Sequence, residues 1–192
     1  MDHARLFLAF DLDEQVCTRL LAAMQALRRV FPRARWCRRE ALHVTVKFFG
    51  MLPLSMAADI ARGVQTALEG HAPFAATIAG LGGFPSLAAP RVLWAGVTDG
   101  RDALCAVADD VVQAMDACGF GREERGFVPH VTLARLTHRI MVDEAAVTRA
   151  LPDAASAQFG ATSFAELCLY ASELTPAGPR YTALDRWALP AA

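Results

Sequence analysis

Apolar positions along this chain follow two rhythms, and the switches between them mark its elements. Residues 5–11 (RLFLAFD) are a short apolar run bounded by charge, the pattern of a buried strand. After Asp13, which can cap a helix, Val16, Leu20, Met24 and Leu27 recur at three- and four-residue spacing and predict a helix to about residue 30. Phe31-Pro32 ends it, because proline cannot continue the helical hydrogen-bond ladder. An extended approach from Trp36 leads into a strand over Leu42–Phe49, broken by Gly50 and Pro53. Ser55 is the expected cap of a second helix, roughly 56–69, closed by Gly70. Residues 73–80 and 91–97 read as strands on either side of the loop LGGFPSLAAP.

The second half follows a similar order. A helix over 102–117 presents Leu104, Val107, Val111 and Met115 on one face and closes at Gly119. The polar loop GFGREERGFVP precedes a strand at Val131–Leu136, and a short helix over 143–151 stops at Pro152. Strands over 164–171 and 180–188 close the chain across the turn ELTPAGP. Several strand pairs have no helix between them. That excludes a doubly wound parallel sheet and predicts antiparallel or mixed sheets with helices on the outer faces, in two halves of pseudo-two-fold symmetry.

Composition changes this picture little. A chain of 192 residues, 54% hydrophobic and 20% charged, can bury a core as one domain or as two lobes sharing one, which excludes the disordered class. No apolar run approaches the roughly 18 residues of a membrane span. The start, MDHARLFLAFDLDE, lacks the basic lead of a signal peptide, so a cytoplasmic monomer is the expectation. Five scattered cysteines without a CxxC speak against a disulfide framework and a zinc site, and neither metal nor cofactor is expected. A net charge of −1 gives no global pull on nucleic acid. Arginine is clustered locally, however. Arg33, Arg35, Arg38 and Arg39 precede residue 43, and Arg122 and Arg125 precede residue 130, so either patch can hold a phosphate.

The candidate chemistry lies in a repeated phrase, HVTVKFFG from residue 43 and HVTLARLT from residue 130. Side chains on a strand alternate faces. His43, Thr45 and Lys47 should share one face, with Leu42, Val44, Val46 and Phe48 on the other. His130 and Thr132 should likewise share a face, with Val131, Leu133 and Arg135 opposite. Each copy therefore sets an imidazole beside a hydroxyl, anchored from behind by branched apolar residues. Two histidines across a cleft can serve as base and acid in one reaction, and two hydroxyls can hold phosphate oxygens. The remaining histidines, His3, His71 and His138, lack a threonine two residues on.

RLFLAFDL, LHVTVKFFG after Trp36, PRVLWAGV and FVPHVTLAR occur in one order over Arg5 to about Leu189. In these phrases the chain resembles the 2H phosphoesterases and, among them, the bacterial and archaeal RNA 2′,3′-cyclic phosphodiesterases, also named 2′-5′ RNA ligases. The resemblance implies an α/β fold of the α+β type, a single bilobal domain over residues 1–192. Two antiparallel sheets with outer helices would be related by a pseudo-two-fold axis, around a central cleft lined by the two HxT strands. It implies metal-independent opening of a terminal 2′,3′-cyclic phosphate on RNA 3′ ends to a 2′-phosphate. His43 would be the proton donor, His130 the proton acceptor, and Thr45 and Thr132 would hold phosphate oxygens. Arg135 matches the family arginine that contacts phosphate. It lies on the wrong face of a regular strand, so either the strand bulges near Ala134 or the long side chain reaches round. Lys47 on the histidine face, Phe84 in the GGFP loop as a base-stacking ring, and Arg125 beside Arg122 complete the expected substrate contacts. Alternatives are another cyclic phosphate or a 2′-5′ oligonucleotide as substrate, with 2′-5′ RNA ligation as a side activity, and a non-catalytic RNA-binding module on the same fold.

Overall fold

Alternating apolar runs and amphipathic stripes fold as nine strands and four α-helices in a computed structural model that describes residues 3–121, 126–137, 141–175 and 178–191. In chain order these are β1 (His3–Asp11), α1 (Glu14–Leu27), β2 (Arg35–Trp36), β3 (His43–Pro53), α2 (Ala57–Leu68), β4 (Phe74–Phe84), β5 (Val92–Val97), α3 (Arg101–Ala117), β6 (His130–Arg135), α4 (Glu144–Ala150), β7 (Gln158–Phe164), β8 (Glu166–Thr175) and β9 (Gly178–Ala188). The helical stripes are buried as their spacing requires: Val16, Leu20, Met24 and Leu27 on α1, and Leu104, Val107, Val111 and Met115 on α3. They cover Leu6, Leu8 and Phe10 of β1 and the valines of the HVT strands, all in one continuous core.

Every strand pairing among the described residues is antiparallel. The strands run in the order β7-β4-β5-β6-β3-β1-β8-β9, with β2 added beside β6. The two expected sheets are thus two four-stranded arrays, β3-β1-β8-β9 and β6-β5-β4-β7, and they are joined into one path. The joint is a single registered pair, Val44 opposite Val131. The halves also exchange strands. β4 and β5, at the end of the first half, pair with β7 and β6 of the second, and β8, late in the second, pairs with β1. This exchange brings the two HVT strands to the centre of the sheet.

Several expected boundaries shift for physical reasons. β3 runs through Gly50 to Pro53, because Gly50 takes a φ of +79° at an irregularity beside Leu6 and the ladder resumes. Ser55 does not cap α2. It lies in a short 3₁₀ turn, Leu54–Met56, and Met56 holds the cap position. β4 extends to Phe84, into the expected loop. The stretch read as one strand over 164–171 divides at Ala165, and β7, which precedes that break, has no alternating apolar signal strong enough to announce it.

Candidate active site

A strand bulge, repeated in both halves, decides which side chains reach the cleft. Ala9 pairs with Thr45 and Leu8 with Lys47, so Val46 is an extra residue without a partner on β1. Trp94 pairs with Thr132 and Leu93 with Ala134, so Leu133 is extra in the same way. Each bulge falls immediately after the threonine and reverses the alternation beyond it. In β6 it turns Arg135 onto the face of Thr132, where it lines the cleft. The bulge is thus the one of the two expected routes that the strand takes.

In β3 the same reversal corrects the reading of two residues. Lys47 does not share the histidine face. It is 2% exposed, and its Nζ donates to the Gly121 carbonyl at 2.8 Å, behind the sheet. Phe48, expected in the core, is 50% exposed and lines the cleft. Alternation alone cannot report this, because a bulge belongs to the pairing of two strands and not to either strand's own pattern.

The joint sets the histidines. Val44 and Val131 lie between histidine and threonine in each copy, and they oppose each other in an antiparallel pair. Only this one pair is in register, with His43 and Thr132 following on one side of it and Thr45 and His130 on the other. Each histidine is therefore one residue from the joint and two residues from its own threonine along the strand.

The surroundings of the two histidines differ. His43 stacks on Phe7, centroids 5.0 Å apart, and meets Tyr181 edge-on at 5.5 Å. Asp11 is its partner across β1 and β3. Tyr170 donates its hydroxyl to Asp11, 2.7 Å from each carboxylate oxygen, and Arg186 approaches the same group at 3.4 Å. Burial pushes the His43 imidazole down to about 4, with the Asp11 carboxylate opposing the shift and His130 adding to it. His130 places Nδ1 2.7 Å from the Val128 carbonyl. A carbonyl can only accept, so Nδ1 carries the proton and the neutral ring keeps its Nε2 lone pair free. Burial lowers its pKa as well, opposed by that hydrogen bond and reinforced by Arg135.

The ring of His130 rests edge-on against Phe84 at 5.1 Å and near Trp94 at 6.3 Å. Phe84 therefore ends a strand and packs on a histidine, where the sequence suggested a ring on a loop. Gly82 lies under the Trp94 indole, and a Cβ there would meet the ring at 2.2 Å, so only glycine lets this stack close.

The cleft encloses about 990 Å³. His43, Thr45, Thr132 and Arg135 line it, while His130, two residues before Thr132 on β6, is not among the residues of its wall. Arg5, Arg35, Arg38, Trp36 and Tyr181 also line it and were not singled out as site residues from the sequence, although Arg35 and Arg38 belong to the basic patch before the first motif. Arg125 and Arg122 lie outside the described residues. His71 is remote from the cleft and pairs with Asp110 at 2.7 Å. Among the described residues no three His, Cys, Asp or Glu side chains converge as a metal site would require.

Comparison with known proteins agrees with this architecture. Residues 12–174 match the model of the 2′-5′ RNA ligase superfamily. The RNA 2′,3′-cyclic phosphodiesterase of Methanothermobacter thermautotrophicus is 32% identical over 185 residues, which cover 94% of this chain and 96% of that protein. A solved Thermus thermophilus structure superposes with a TM-score of 0.71 at 29% identity, covering 97% of this chain and 98% of that one. Escherichia coli LigT, solved in complex with 3′-AMP, gives 0.75 over 98% of this chain and 99% of its own, and at 24% identity it speaks for the fold alone. By its matched span, its fold and its full-length similarity, the chain belongs to the 2′-5′ RNA ligase superfamily.

Proposed function

We propose that this chain hydrolyses a terminal 2′,3′-cyclic phosphate on RNA to a 2′-phosphate by paired-histidine acid–base catalysis. It is an enzyme acting on phosphodiester bonds, like the relatives named RNA 2′,3′-cyclic phosphodiesterase. The observation that supports the reading is the Val44–Val131 joint, which lays the two HVT strands side by side, with His43, Thr45 and Thr132 lining one cleft. A phosphate seated there meets a hydroxyl donor from Thr45 and another from Thr132, and the Arg135 guanidinium offsets its charge.

In the reaction, His130 Nε2 takes a proton from water as the water oxygen bonds to phosphorus. The P–O3′ bond breaks, and His43 gives its proton to the departing 3′ oxygen, leaving the phosphate on the 2′ oxygen. The Val128 hydrogen bond supports His130 as the base, since it holds the lone pair on the outward nitrogen. Asp11 supports His43 as the acid, because it favours the charged imidazole. A phosphate dianion or monoanion beside either ring raises its pKa further, so binding substrate prepares the acid. The test is turnover of an RNA bearing a cyclic phosphate end, in EDTA, by the wild type and by His43→Ala and His130→Ala. Each substitution is expected to lower kcat by about 10²–10⁴-fold. Wild-type rates in either variant would remove the two-histidine mechanism.

A further inference from the structure

The cleft is longer than the chemistry needs. Asp11, across from His43, and Arg5 are six residues apart on β1, roughly 20 Å along the strand, yet Arg5 and His43 line the same cavity. Arg5 and Phe7 share the cleft face of β1, since Leu6, Leu8 and Phe10 point into the core. Arg35 enters from the other side, in register with Arg135 on β6, and Arg38 follows it in the chain. Four arginines therefore line one cleft. Among the described residues, Glu40 is the single acidic one lining the cleft with them.

Four arginines elsewhere on the molecule hold carboxylate partners: Arg39 with Glu14, Arg62 with Asp59, Arg149 with Asp143, and Arg186 with Asp11 and Glu166. Among the described residues, Arg5, Arg35, Arg38 and Arg135 have no carboxylate partner within ion-pair distance. One phosphate at the histidines accounts for Arg135. It does not account for Arg5 and Arg38. The same cleft is lined by exposed or half-buried rings, Trp36, Phe48 and Tyr181. A cleft lined by both cations and rings suits a single strand of nucleic acid, whose phosphates take the charge and whose bases take the stacking faces.

We propose that Arg5 and Arg38 bind the backbone phosphates of the nucleotides preceding the reacting end, making this a site for a single-stranded RNA segment. The inference rests on the functional reading above and adds a length requirement to it. The enzyme selects a strand over a cyclic mononucleotide because only the strand reaches the outer arginines.

The test compares kcat/KM for a single-stranded RNA tetramer ending in a 2′,3′-cyclic phosphate with that for the 2′,3′-cyclic mononucleotide of the same base. The wild type is expected to favour the tetramer by tenfold or more, with a steeper loss on raising salt, since more phosphates are neutralised. In the double variant Arg5→Gln, Arg38→Gln, the ratio is expected to fall about tenfold and the added salt dependence to vanish. Both side chains are exposed, and a thermal melt checks that the variant folds. Equal kcat/KM for both substrates in the wild type, or a wild-type ratio in the folded double variant, overturns the inference and leaves the cyclic phosphodiesterase reading standing. If the variant does not fold, the salt comparison in the wild type decides alone: equal salt slopes overturn the proposal. Turnover of neither substrate overturns the functional reading, and this inference with it.

Discussion

The pH dependence of kcat/KM tests the paired roles of the histidines most directly. As the acid, His43 must be protonated, so activity falls as pH rises through its pKa. As the base, His130 must be neutral, so activity falls as pH drops through its own. Burial holds both below the ordinary value near 6.5, and His43 is pushed down to about 4. At pH 7 only about one free enzyme in a thousand then carries a charged His43. The kcat/KM profile, which reports the free enzyme, should therefore be a bell lying below about pH 6.5. The kcat profile, which reports the complex, should lie at higher pH, because a bound phosphate anion favours both imidazolium forms. Asp11→Asn removes the carboxylate that favours charged His43. Two charges about 6 Å apart in a partly solvated cleft interact by roughly 0.7–1.4 kcal/mol, so the alkaline limb should move down by about half to one pH unit. At pH 7 that is a loss of about 3–10-fold in kcat/KM. The assay is initial-rate hydrolysis of the cyclic-ended RNA in EDTA from pH 4 to 9. A kcat/KM still rising above pH 7, or an Asp11→Asn profile superimposable on the wild type, would refute the assignment. The same depression acts on stability. The fold favours neutral His43, so this stability is present above pH 6.5 and is lost as pH falls toward 4, up to ~3 kcal/mol before screening in the open cleft reduces it.

Three further outcomes follow from the geometry. Lys47→Met leaves the Gly121 carbonyl without its donor and should lower unfolding free energy by about 1–3 kcal/mol in urea, with near-wild-type kcat/KM for the folded fraction. Lost activity at unchanged stability would return Lys47 to the substrate. Gly82→Ala forces the Trp94 ring toward His130, so kcat should drop about tenfold or more together with a stability loss of about 1–3 kcal/mol, measured by single-turnover kinetics and melting. An active, stable variant would show that the stack does not position His130. Arg135→Gln removes a charge-assisted contact to phosphate and should lower kcat/KM by about 10–100-fold, and a change within twofold would take Arg135 out of the site.

Much of this was legible in the chain itself. Three- and four-residue spacing placed α1 and α3 to within a few residues, because a helix must bury one stripe and the stripe is written locally. Alternation placed His43 with Thr45 and His130 with Thr132, since nothing interrupts the strand between them. One residue further on, local reasoning failed. Lys47, Phe48 and Arg135 each face the side that alternation denied them, because Val46 and Leu133 bulge, and a bulge arises only when a second strand is laid alongside. The short strand β7 and the placement of Phe84 against His130 were hidden for the same reason.

What the sequence determined by itself is therefore the chemistry and its local presentation: two imidazole–hydroxyl pairs, each fixed to a strand by buried valines. What only the tertiary structure decided is how those pairs meet. The exchange of β4, β5, β8 and β9 between halves and the single joint at Val44 and Val131 bring residues 87 positions apart onto adjoining strands. The same long-range pairing gathers Arg5, Arg35, Arg38 and Arg135 into one cleft. A side chain's face depends on its own strand, but its neighbours depend on which strand lies beside it, and that choice is made by the burial of the whole core.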